Sequence, residues 1–96
     1  MAIHAKRILP QGSGNFITAD ANVAATDLQY VHDNGDIYQA TMSKIERIVN
    51  FTGGAITVNG VSFAAGEWDF SQSGGYDLGA NLTAIAISGG LVTLRQ

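Results

Sequence analysis

Three places in this 96-residue sequence gather side chains that can do chemistry. In His32-Asp33-Asn34-Gly35-Asp36 an imidazole and two carboxylates lie within five positions. One His with two oxygens falls short of the three or four ligands of an ordinary metal site, and the acid alternation and closing Glu of a calcium loop are missing. The turn chemistry of Asp, Asn and Gly explains the stretch without a ligand. In Glu67-Trp68-Asp69, followed by Tyr76 and Asp77, aromatic faces and carboxylates alternate, the pairing with which sugar-binding β modules stack a pyranose ring and hold its hydroxyls. The competing reading makes the one Trp of the chain a core or interface anchor. The third place is Lys6-Arg7, a basic pair between the apolar Ile3 and Ile8-Leu9.

Other reaction classes lack their parts. Gly12-Ser13-Gly14 has no Lys-Ser/Thr end and no strand-to-helix setting, so it reads as a hinge rather than a phosphate loop. No Ser sits in a nucleophile elbow, and two His in the whole chain make a triad improbable. Without cysteine there is neither a disulfide nor a thiolate zinc site. The expectation is a protein that is not an enzyme and uses no cofactor or metal.

Composition points the same way. Apolar residues make up 46% of the chain, enough for one modest core. Charged residues are only 14%, against roughly 25% in an ordinary soluble domain. Ala, Gly, Thr, Ser and Asn fill the difference, leaving a surface poorly protected against association. A net charge of −3 argues against nucleic-acid binding, and no stretch is long and apolar enough for a membrane span or a signal-peptide core. Absent cysteines favour a cytosolic origin or stabilisation by oligomerisation. Asn50-Phe51-Thr52 and Asn81-Leu82-Thr83 match the N-glycosylation pattern by chance.

The elements that would position these residues are short strands. Ile45 to Phe63 holds two turn signals, Gly53-Gly54 and Asn59-Gly60, each between β-branched and aromatic residues. Asp27 to Ala40 reads as a hairpin around Asp33–Asp36. Phe51–Val58 and Ile87–Leu94 echo each other in residue class around a Thr/Ser-Gly-Gly, so each is expected to be strand, turn, strand. Leu82 to Ser88 should pair with Leu91 to Arg95, and its small or apolar residues on both faces imply cover on both sides. Met42, Ile45, Ile48 and Val49 are ambiguous: their spacing, with Ser43-x-x-Glu46 as a capping box, fits a helical turn. The direct run into strand-like Ile-Val-Asn-Phe favours a strand over Ile45–Thr52. Asp20 can cap a turn over Ala21–Ala25. Residues 1–14 form an arm and flexible joint, or else an edge strand, and residues 15–96 one compact domain. The fold class expected is all-β, a small antiparallel sandwich or barrel.

A short cysteine-free chain rich in Ala, Gly and Thr, with an N-terminal arm and runs such as Thr52-Gly-Gly-Ala-Ile-Thr-Val-Asn-Gly60, resembles the small head-decoration (cement) proteins of tailed bacteriophages. The resemblance lies in the character of the whole chain. It implies trimers or other symmetric clusters on the capsid surface, made in the host cytoplasm and joining neighbouring major capsid subunits. In such a protein Ile3, Ile8 and Leu9 would anchor the arm, Lys6 and Arg7 would meet an acidic shell, and Trp68 and Tyr76 would make the larger contacts. A neck or tail component and a carbohydrate-binding module are the alternatives.

Overall fold

A computed structural model describes residues 16–31 and 33–96, and these residues fold as nine short strands joined by turns. The strands are β1 (Phe16–Ala19), β2 (Gln29–Val31), β3 (Ile37–Gln39), β4 (Met42–Asn50), β5 (Ile56–Val58), β6 (Val61–Phe63), β7 (Gly66–Asp69), β8 (Tyr76–Leu82) and β9 (Leu91–Arg95). Single 3₁₀ turns stand at Ala25–Leu28 and Ser71–Ser73. The all-β expectation holds.

β4 is the strand on which the rest is hung. One edge pairs with β9, which pairs in turn with β1. The other edge is shared end to end, by β7 along Arg47–Asn50 and by β8 from Met42 to Ile45. The resulting antiparallel sheet has five strands. Packed against it in the core are the β5–β6 hairpin and an extended stretch around Ile85 and Ile87 that bridges Val23 and Val58, while the β2–β3 hairpin forms a separate two-stranded sheet. Ile17, Met42, Ile45, Ile48, Val58, Val92 and Leu94 are fully buried and belong to a single core cluster.

The helical spacing around Met42 has a physical origin in β4. Leu94 and Val92 are two apart on β9, yet their partners Ile45 and Ile48 are three apart. A β-bulge at Glu46 inserts the extra residue, so the next inward side chain arrives one position late. Pairing with β8 also breaks register between Met42 and Lys44, where the step from Met42 to Ile45 is again three. The strand reading is therefore right in kind, with bounds Met42–Asn50 in place of Ile45–Thr52.

Asn59-Gly60 does what its chemistry dictates. Both residues take positive φ, 50° and 85°, and join β5 to β6 with Val58 opposite Val61. The Gly-Gly turns do not behave as expected. β4 does not pair with β5, and Ile85 and Ile87 bridge Val23 and Val58 instead of β9. Each Gly-Gly carries the chain between layers rather than folding a strand back on itself. At Gly90, with φ 72°, a Cβ would lie 2.9 Å from the Ile56 methyl and 3.1 Å from the Val49 carbonyl, so only glycine fits. Ala84 and Ala86 are exposed, so the stretch they occupy is covered on one face and not on both. The helical turn forms at Ala25–Leu28, later than expected, and Asp27 supplies its cap by accepting the Ala24 N–H at 2.8 Å.

Asn50, where β4 ends, is the one buried polar side chain among the described residues. Its Nδ2 donates to the carbonyls of Gly54 and Phe63 at 2.9 and 3.2 Å, and its Oδ1 accepts the Thr52 N–H and hydroxyl at 3.1 and 2.8 Å. Its amide thus stands in for the strand partner that the chain loses on leaving the sheet. Asn50→Ala leaves these groups unpaired and should destabilise the fold by about 2–4 kcal/mol. A lower urea midpoint with an unchanged slope is the expected signature.

Candidate functional site

Two residues singled out in the sequence, Trp68 and Tyr76, lie near each other along one edge of β4, opposite Ile48 and Ile45. They belong to different strands that share the same edge of β4, and Phe63 at the end of β6 brings them together. Its ring makes edge-to-face contacts with Trp68, Phe70 and Tyr76 at centroid distances of 6.0, 6.1 and 5.5 Å. Phe70 and Tyr76 also touch, at 5.5 Å. Such contacts add stability beyond area alone and fix ring orientation. Phe63 is buried and Tyr76 half-buried, whereas Trp68 keeps 37% of its surface in solvent. The Trp68 indole N–H donates to the Ala64 carbonyl at 3.0 Å, which locks the ring in place. Trp68 is thus a core anchor on one side and a surface on the other.

Alternation along β7 sends the neighbouring carboxylates to the opposite face of the sheet. Glu67 pairs with Arg47 at 2.8 Å, both about half exposed, and this bond holds the guanidinium pKa above its ordinary value. Asp69 accepts the hydroxyl and N–H of Ser71 at 2.6 and 2.9 Å, with Arg47 as its register partner on β4. The Ser71 hydroxyl first, then its N–H, lowers the Asp69 carboxyl below the usual range. Asp77, which faces Lys44 across the sheet, spends its Oδ1 on the Gly79 N–H at 2.8 Å. The edge therefore carries an aromatic shelf on one face and three carboxylates on the other.

Around the other candidate cluster, Asn34 donates to Asp36 Oδ2 and accepts the Asp36 N–H, both at 3.0 Å, a self-contained turn. His32 lies outside the described residues, as do Ile3, Lys6, Arg7, Ile8 and Leu9. Among the described residues no three His, Cys, Asp or Glu side chains gather as a metal would require.

The structure adds surface residues that the sequence reading passed over. Phe51 is 73% and Ile37 64% exposed, with Leu91 and Val61 also in solvent. Phe51 lies just past the end of β4 and follows the buried Asn50 by one position. No sequence signal marked it as exposed, because an apolar Phe after a polar Asn reads as the inward residue of the pair. Compared with family profiles, with curated proteins and with solved structures, the chain finds no match in any of the three.

Ser71→Ala removes the main hydrogen bond on Asp69 and should raise that carboxyl toward its ordinary pKa, about 3.9. A depressed folded pKa contributes stability above the unfolded value that is lost as pH falls through the folded one. The variant should therefore lose a small part of its stability at neutral pH and show a weaker acid dependence. NMR titration of the Asp69 side-chain carbonyl carbon checks this directly.

Proposed function

We propose that this chain is a structural virion protein, a decoration or cement protein that binds the assembled head of a tailed phage and bridges neighbouring major capsid subunits. The observation that carries the reading is the surface. Large apolar side chains at Phe51, Ile37, Leu91, Tyr38 and Trp68 stand in solvent on a chain in which only 14% of residues are charged. Such a surface is suited to being covered. A cement protein works by burying its own surface against two or more subunits, so that binding the assembled state stabilises that state by mass action. It needs anchors and exposed strand edges, and no reacting group. Trp68, held rigid by Phe63 and Ala64, is such an anchor, since a side chain already fixed in place loses little freedom on binding. Tyr76 braces it from beneath through Phe63.

Deleting residues 1–10 removes Ile3, Lys6, Arg7, Ile8 and Leu9 together. The truncated chain should bind assembled shells about tenfold or more weakly in co-sedimentation while its urea midpoint stays unchanged. Undiminished binding would remove the arm from the reading.

The half-exposed Trp68 ring favours a second reading, a carbohydrate-binding module. Here the emission of the single tryptophan should change when glycans are added. Constant emission across a broad glycan panel would eliminate it.

A further inference from the structure

β7 is the outermost strand of its half of the sheet, and among the described residues it pairs with β4 alone. The Phe70 N–H donates to the Glu46 carbonyl of β4 at 2.9 Å, which fixes the direction of the backbone groups before it. Those of Trp68 point toward β4, and those of Glu67 and Asp69 point away from the sheet, where an added strand would find them. Edge strands of this kind pair with whatever extended chain matches them. On one side of this edge stand the exposed carboxylates of Glu67 and Asp69, and on the other the exposed part of Trp68. Two identical edges would bring acid against acid, which disfavours edge-to-edge pairing.

An extended segment that fits must carry a cation on one face and an apolar or cationic group on the other. Residues 5–9 of this chain, Ala-Lys-Arg-Ile-Leu, have that pattern. Adjacent residues of a strand face opposite ways, so Lys6 would meet Glu67 and Asp69 while Arg7 lies over the Trp68 ring with Leu9 beside it. Residues 16–96 carry eight acids against Lys44, Arg47 and Arg95, so the basic pair lies apart from the acidic bulk of the chain.

We propose that the segment Ala5–Leu9 of one copy adds as a strand to the β7 edge of a second copy. Sheet order favours a second copy over the same one. β1, the first described strand, and β7 lie at opposite edges in the order β1-β9-β4-β7, about 14 Å apart, so a segment preceding β1 would have to cross a whole face of the sheet to reach its own β7. Donor and acceptor on opposite edges make a head-to-tail contact, which builds a closed ring when the rotation permits. The inference rests on the assembly reading in taking the chain to act as a multimer.

The test follows the full chain through a dilution series by light scattering and by emission of its one tryptophan. The mass should exceed that of a single chain when concentrated, and mass and emission should change together on dilution. Lys6→Glu with Arg7→Glu, and separately Glu67→Lys, should each weaken association about tenfold or more, with high salt acting in the same direction. Mixing the two variants in equal amounts restores opposite charges wherever unlike variants meet and should recover association. A wild-type chain that is a single copy at every concentration overturns the proposal, as does a multimer indifferent to both reversals. Co-sedimentation with assembled shells, run on the same variants, separates the two ideas: a Glu67→Lys chain that fails to multimerise yet binds shells supports the strand exchange, and a multimer that ignores the reversals while still binding shells sinks it and leaves the assembly reading standing.

Discussion

The exit of the chain from β4 is the constraint on which the rest of the fold depends. A central strand has both edges paired, and leaving it means abandoning backbone partners inside the core. Asn50 resolves this with a single amide, which supplies both the donors and the acceptor that the loop after it and the end of β6 require. Because the same side chain touches Gly54 and Phe63, it sets how the β5–β6 hairpin sits over the sheet. Phe63 in turn decides where Trp68, Phe70 and Tyr76 come to rest. The aromatic shelf is thus the downstream end of a chain of contacts that begins with one polar residue in an apolar interior.

Local chemistry was legible wherever a turn needed a special backbone. Asn59-Gly60 named its hairpin outright, because few other residue pairs accept positive φ twice in succession. Asp33–Asp36 likewise read as a turn between β2 and β3. What the sequence misled on was where strands go after they turn, since it put residues 82–88 against Leu91–Arg95. Ser/Thr-Gly-Gly permits a sharp change of direction but is silent on whether the next strand returns to its neighbour or crosses to the other layer. That choice is made by partners distant in the chain, such as Val23 for Ile85 and Val58 for Ile87. The ambiguity of Met42–Val49 had a different source. A bulge converts a spacing of two into one of three, and a window centred on it carries the periodicity of a helix.

At the candidate site, the grouping of Glu67, Trp68 and Asp69 could be seen in the sequence because it is contiguous. Strand alternation also separated the acids from the ring correctly. The role of Phe63 could not be seen, since it reaches the site from another layer. Nor was the half-exposure of Trp68 readable, as it reflects a balance between burial against Phe63 and the lack of any described strand beyond β7. A sequence of small neutral residues states clearly that little charge protects the surface. It does not say which patches are left bare.

The position of Asn50 also sets an order of events. Asn50-Phe51-Thr52 is an acceptor sequence for N-linked glycans, yet in the folded chain every polar atom of that amide is occupied and none reaches solvent. Sugar attachment and folding therefore exclude one another at this residue. A chain passing through a glycosylating compartment would face a race, and each molecule modified before β4 closes would be barred from the native state. Asn81, exposed on β8, imposes no such sequence in time.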